Sequence, residues 1–542
     1  MREDRNFVVL FYPTSVVHFR NLELLKKNLR GFKFLVIVES WVREKARHVL
    51  SGIDPEEQIA VENGRLQAKT WEKKIDILYL SMAYPNFFRL LLVHEAVKRN
   101  IPVLAIEEVN QLALNDGIIN HYFLPIDNLG VASFVEKEEF LKLGIPEDTL
   151  TVTGWPFFVE EAAWGHTRVH DIKKEYSIPS DRKCCLLFLG SLKEYDMVSL
   201  ETRKVRREIL EIVSKGLSEN FQLMIKPHPI ETRTAMEEIK KQVPDALLLD
   251  PLCPVEPLLA QADAVATRGN SQISLLALLE NKSPIVVPAG LNTIFHGCLE
   301  SIIADSALQF RQILERYAQG EIGDCQKILA VHFPLAPEQA IQKVKELFDA
   351  AIGNKRASGL SKKIHISILY AFLGDMKQAR NVLAGLPKNE TLLLLKRLFG
   401  RHISRDEFKT LLDYFPGKIF RWHLQALYAR RLAQHRGRNE LSQSIDLLSG
   451  FDGDTNPHYF MEDILLRIEL EYRAGNDKRA EDLIEKFYDN YAVFDYFRQA
   501  FDMLRFVYYR QQKSFMLRKM LWLLKNLNTA YSRKYIKNRL GS

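Results

Sequence analysis

The sequence predicts an α/β protein of two consecutive parallel-sheet domains followed by an all-α region. Three observations carry that expectation. Short apolar runs alternate with amphipathic stretches over the first ~350 residues, the pattern of βαβ units. The alternation pauses near residue 158 and then restarts. After Gly353 the apolar runs give way to Leu-, Ala-, Arg- and Tyr-rich sequence with helical spacing.

In the first domain, Phe7–Tyr12, Phe34–Val38, Ile75–Leu80 and Pro102–Ile106 are continuous apolar runs, as expected of strands buried on both faces. Asn21–Leu29 and Phe88–Arg99 lie between them with helical spacing. Leu129–Ser133 is a further strand, followed by the charged helix Glu136–Leu143. Gly and Pro in LTVTGWPFF, residues 150–158, mark a domain boundary. The second domain reads strand Cys184–Leu189, helix Arg203–Lys215, strand Phe221–Ile225, strands Ala246–Leu249 and Ala264–Thr267, helix Gln272–Leu279, strand Pro284–Val287 and a closing helix Pro337–Ile352. In the α region, Leu369–Leu386 and Leu470–Phe487 resemble each other, each with a Gly at a helix turn and an Ala five residues later. Gly374 and Gly475 are 101 residues apart, close to three 34-residue periods, and Leu432–Leu448 with Gly437 is a weaker copy. This resembles tetratricopeptide-type repeats, with a generic array of α-helical hairpins as the alternative.

A chain of 542 residues exceeds one core, since cores stop growing near ~250–300 residues. The expected division is 1–158, 159–353, 354–504 and a basic helical tail 505–542. With 47% hydrophobic and 26% charged residues the chain is globular, neither disordered nor fibrous. Its net charge of +7 is unevenly placed, because residues 505–542 hold ten basic residues and no acid. The rest is slightly acidic, so nucleic acid is not an expected partner. The tail predicts contact with an anionic membrane surface through 526–542, while 505–525 read as a last array helix.

Five cysteines, none in a CxxC pair, suit a reducing compartment rather than a disulfide scaffold or zinc site. No apolar run reaches ~18 residues, so no spanning helix is expected. The N-terminal MREDRNFVVLFYP is too briefly apolar for a signal peptide. A cytoplasmic protein is expected, peripheral on the inner face of the membrane. GxGxxG after a strand, the Walker loop and HExxH are all absent, which disfavours dinucleotide oxidoreductases, P-loop NTPases and zinc hydrolases.

Ligands of open α/β sheets bind beyond the carboxyl ends of strands, so the residues there are the candidates. Lys226-Pro227-His228-Pro229 fixes His228 between prolines at a strand end, where it can meet a phosphate or exchange a proton. Thr267-Arg268-Gly269-Asn270-Ser271 leads into a helix whose free N–H groups suit an anion. Gly190, Ser191 and Lys193 follow the first strand of the second domain, with Gly190 permitting close backbone approach. Glu107 and Glu108 follow a first-domain strand and are candidate general bases, with Asp116 a rival and Asn110 and Asn115 suited to sugar hydroxyls.

Two Rossmann-like domains, the strand ending in KPHP and the unit T-x-G-N-S, helix, N-K-S-P-I-V-V together resemble the GT-B superfamily. Within it they are similar to bacterial surface-polysaccharide enzymes. These are the CDP-glycerol glycerophosphotransferases, the capsule Kdo- and polysialyl-transferases, and the nonhydrolysing sugar-nucleotide 2-epimerases. The resemblance implies that His228 contacts the donor phosphate and that Asn270 and Ser271 bind donor phosphate or nucleotide. It implies an acidic pair followed by Gly as the base, whereas here Val109 follows Glu107-Glu108. Many members carry a ribose-binding Glu five residues after the serine, where this chain has Leu276. The expectation is a glycosyltransferase using a CMP-, CDP- or UDP-linked donor, with no required metal or cofactor. Its acceptor would be a glycan, a lipid-linked glycan or a glycoprotein. The alternatives are a 2-epimerase-like enzyme, a polyol-phosphate transferase and a non-catalytic scaffold. The helical repeats predict a protein partner or self-association.

Overall fold

The structure is a computed structural model. It describes most residues from Asn6 to Leu483, apart from 40–49, 82–86, 108–124, 156–171, 191–200, 290–299, 321–329, 354–359, 433–437, 450–466 and breaks of one to three residues; residues 1–5 and 484–542 lie outside the description. The basic tail and half of the second repeat copy are therefore not described.

The first sheet contains β1 (Phe7–Tyr12), β2 (Phe32–Val38), β3 (Gln58–Glu62), β4 (Arg65–Leu66), β5 (Ile77–Ser81), β6 (Val103–Ile106), β7 (Asn128–Val131) and β8 (Leu150–Val152). They lie in the order β4-β3-β2-β1-β5-β6-β7-β8, parallel except for the β3–β4 pair. The second sheet holds β9 (Lys183–Phe188), β10 (Phe221–Lys226), β11 (Leu247–Leu248), β12 (Ala264–Arg268) and β13 (Pro284–Val287). Its order is β11-β10-β9-β12-β13, parallel throughout. In both sheets the strand order reverses beside the first strand, the topological switch point of a doubly wound sheet.

Alternation of side chains explains the apolar runs. Leu10, Tyr12, Leu35, Ile37, Leu78 and Leu80 join one core. Val9, Phe11, Phe34, Val36, Ile77 and Tyr79 join the core on the opposite face. A strand with a period of two and both faces buried has no polar position left. Three strands escape the sequence reading. Gln58–Glu62 has polar ends, Arg65–Leu66 is too short, and Leu150–Val152, within the stretch expected to mark a boundary, is the edge strand β8.

The helix Pro337–Gly353 returns from the second domain to the first. Its Val344, Leu347, Phe348 and Ala351 enter the core that contains Val9, Phe34 and Tyr79, together with Leu275, Leu278 and Val286 of the second domain. The Phe348 ring lies 5.4 Å from Phe32, 6.2 Å from Phe34 and 5.6 Å from Tyr79. A Cβ on Gly130 of β7 would come within 3.2 Å of Leu347. Gly154 has φ +65°, and its Cβ would meet Ala340 and Leu335 at 3.1 and 3.2 Å, so glycine serves both the turn and the close approach.

Beyond this helix the chain is helical. Leu360–Phe372 pairs with Met376–Ala384, Glu390–Gly400 with Arg405–Asp413, and Lys418–Leu432 with Arg438–Ser449. The N–H of Asp375 reaches the carbonyl of Tyr370 at 2.8 Å, and that of Asn476 reaches Glu471 at 2.9 Å. The two turns, 101 residues apart in sequence, thus close in the same way; Gly475 has φ +82°, as a helix-ending glycine requires. Gly374 and Gly437 lie outside the described residues. The first hairpin is docked on the first domain: Ile366, Leu369 and Tyr370 share a core with Leu92, Val93 and Ala96, His94 meets Tyr370 edge-on at 5.3 Å, and buried Lys362 pairs with Asp127. Among the described residues no helix is long and apolar enough to cross a membrane. Cys184 and Cys185 are buried, and burial pushes the Cys185 thiol up to about 12.

Truncating Phe348 removes the ring at the centre of this shared core. Phe348→Ala is expected to destabilise by ~3–5 kcal/mol, read as a lower urea midpoint. A midpoint unchanged from wild type would contradict the bridging role.

Candidate functional site

The register of the second sheet brings the candidates together. Lys226 of β10 pairs with Phe188 of β9, and Phe188 pairs with Thr267 of β12. Gly190, His228 and Arg268 therefore leave three adjacent strands at one carboxyl edge, across the switch point. Gly190, His228 and Arg268 are all half-buried. Ser191, Lys193 and Asn270 lie outside the described residues.

Thr267 is fully buried, and its hydroxyl lies 2.6 Å from that of Ser274. This contact fixes the helix Gln272–Leu279 to the end of β12. Ser271 caps that helix, its Oγ accepting the N–H of Ile273 at 3.3 Å. The helix is apolar around its circumference, with Leu275 and Leu278 in one core and Ala277 in another. Its polar end is thus aimed at the sheet edge, where free N–H groups favour an anion. Leu276 packs against the cores on both sides, as its apolar character demands.

Lys226 is buried, and its ammonium donates to the carbonyls of Pro227 at 3.1 Å and Pro251 at 2.6 Å. It ties the turn before His228 to the loop after β11. Sequence reasoning did not single out Arg206, on the helix Glu201–Gly216. Its Nη2 donates to the Gly190 carbonyl at 2.8 Å and pairs with the buried carboxylate of Glu231. Glu231 in turn donates its N–H to the His228 carbonyl at 2.9 Å.

In the first domain Glu107 is 1% exposed at the end of β6, where its N–H donates to the Gly130 carbonyl at 2.8 Å. Glu108 lies outside the described residues, as do Asn110, Asn115 and Asp116. Two further buried polar residues occupy the same edge. His18 stands in the first turn of the helix Val17–Asn28 after β1, and Arg89 in the first turn of Phe87–Lys98 after β5. β1, β5 and β6 are adjacent, so His18, Arg89 and Glu107 cluster at the first sheet's switch point. Burial, and then the Arg89 charge, hold the His18 imidazole well below its ordinary value of 6.5. Tyr12 at the end of β1 donates its hydroxyl to Glu39 at 2.7 Å, extending the polar edge toward β2. The sequence signal for His18 was slight: the helix was expected from Asn21, and it begins four residues earlier.

The fold is therefore of the GT-B type, two doubly wound domains with polar carboxyl edges and a helix returning from the second to the first, followed by a helical region. No protein-family model matches the chain. A stretch of 119 residues is 29% identical to a 3-deoxy-D-manno-octulosonic acid transferase of Chlamydia pneumoniae, over 22% of this chain and 25% of that protein. The chain thus spans about a quarter of the length of the curated relative it matches. Among solved structures, S. aureus MnaA with UDP is 13% identical at a TM-score of 0.47, covering 65% of this chain and 97% of that one. The UDP-GlcNAc 2-epimerase of Neisseria meningitidis bound to UDP-GlcNAc is 15% identical at a TM-score of 0.46, covering 63% and 99%. At these TM-scores the structural likenesses carry no argument about the site.

His18 binds a proton less readily in the folded chain than in the unfolded one, so its share of stability falls as pH drops below 6.5. Arg89→Met removes the opposing charge and keeps much of the volume. The His18 pKa is expected to rise in that variant yet stay below 6.5, because burial is the larger cause. An NMR titration of the imidazole Cε1–H checks this, and an unchanged or lower pKa would contradict it.

Proposed function

We propose that the chain is a nucleotide-sugar-dependent glycosyltransferase of GT-B type. In this reading it moves a sugar from a CMP-, CDP- or UDP-linked donor to a bacterial surface glycan, glycolipid or glycoprotein. The observation that carries the reading is the meeting of Gly190, His228 and Arg268 with the Ser271-capped helix at one switch point. The sequence match to a 3-deoxy-D-manno-octulosonic acid transferase supports a sugar-transferring enzyme.

The donor phosphates rest on the N-terminus of the helix Gln272–Leu279, beside Asn270 and Ser271. His228, Arg268 and Lys193 neutralise charge gathering on the leaving nucleotide, so the scheme calls on no metal. The acceptor hydroxyl oxygen attacks the anomeric carbon and forms the new C–O bond. The bond from that carbon to the phosphate oxygen breaks, and the nucleotide departs with the electron pair. The hydroxyl proton passes to Glu107 or Glu108. The tail 505–542 holds the enzyme at an anionic membrane surface on the cytoplasmic side, and the helical repeats engage a protein partner or a second copy.

His228→Ala and the isosteric Glu107→Gln and Glu108→Gln are the test, with sugar transfer measured across CMP-, CDP- and UDP-linked donors. Loss of the proton acceptor is expected to cost ~10²–10⁴-fold in rate in one of the Glu variants, and loss of a contact to the leaving group ~10²–10³-fold in His228→Ala. Wild-type rates in all three variants would sink the proposal. Conversion of a UDP-sugar without any acceptor would establish the epimerase instead.

A further inference from the structure

Arg206 is the buried residue that connects two of the candidate turns. It is 8% exposed, while its sequence neighbours Lys204 and Arg207 are exposed. One guanidinium nitrogen, Nη2, meets both the Gly190 carbonyl and the Glu231 carboxylate. Gly190 belongs to the turn after β9. Glu231 closes the turn after β10, through its N–H to the His228 carbonyl. The other nitrogen, Nη1, is buried with no hydrogen-bond partner among the described residues. A guanidinium with an unbonded buried edge is a poor filler of space, so its value lies in the two turns it joins.

We infer that Arg206 is a positioning residue of the donor site. Its Nη2, anchored by Glu231, sets the spacing between the Gly190 turn and His228, so that both meet the phosphates of one nucleotide. The inference rests on the proposed nucleotide-sugar reading and deepens it. Lysine does not reproduce the arrangement, because its ammonium ends one bond short of Nη2 and cannot reach both acceptors without moving a turn.

Breaking one partner of a buried ion pair also threatens folding, whereas replacing both by apolar residues of similar size is often tolerated. The decisive variants are therefore Arg206→Lys and the double variant Arg206→Met with Glu231→Met. Calorimetric titration with CMP, CDP and UDP gives affinity, and thermal melting gives stability. For the nucleotide that the wild type binds, each variant is expected to bind at least ~10-fold more weakly, about the loss of one charge-assisted contact geometry. The double variant is expected to melt close to wild type. Wild-type affinity in the double variant would overturn the inference and leave the nucleotide-sugar reading standing, since packing alone would then suffice. Equal, modest losses that simply track a lowered melting temperature would overturn it too. A wild-type chain that binds none of the three nucleotides would overturn the functional reading and this inference with it.

Discussion

The packing of one helix across two sheets sets the geometry of everything at the carboxyl edges. Phe348 sits among Phe32, Phe34 and Tyr79 of the first sheet. The same core contains Leu275 and Leu278, on the helix whose N-terminus forms the candidate anion site. That helix is held by apolar contact on both flanks and by the Thr267–Ser274 hydroxyl pair at its start. A side chain such as Glu107, on the first sheet, is therefore placed relative to the second-domain helix by one continuous apolar core. Interiors pack at crystal-like density, so such a core transmits position without slack.

The cations near the second switch point divide by what they touch. Lys226 and Arg206 are buried and bonded to backbone carbonyls of the turns. Arg268 stands at the edge, half-buried. The inner pair ties the turns together through these carbonyls. Preorganised charge of this kind needs no reorganisation when a phosphate arrives. The same division holds in the first domain, where a neutral His18 and a charged Arg89 lie behind the edge that Glu107 occupies.

The strands of both sheets were legible because burial on two faces leaves continuous apolar runs. The outer strands β3, β4 and β8 of the first sheet were not, since a short or polar-ended strand lacks that pattern. The positions following strands were legible from the switch-point rule, and the sheet order brings Gly190, His228 and Arg268 side by side. The buried polar residues on helices were not legible. Arg206 sits in TRKVRREIL among other basic residues, and only packing separates it from Arg207. Lys226 reads as a ligand cation in KPHP, yet its ammonium is engaged with Pro227 and Pro251. Sequence shows which residue type lies near a site; the direction of a long side chain is decided by what surrounds it.

The docking of the helical region has a consequence for access. Lys362 pairs with Asp127, which precedes β7, and Tyr370 meets His94 in the later half of the helix Phe87–Lys98. That helix begins at the carboxyl edge after β5 and ends just before β6 at the amino edge. The first helical hairpin therefore grips the first domain toward its amino edge, opposite the polar cluster of His18, Arg89 and Glu107. Parallel strands separate the two edges by their full length, so the hairpin's contacts lie away from the end that carries Glu107, on the face of the first sheet opposite the core built around Phe348.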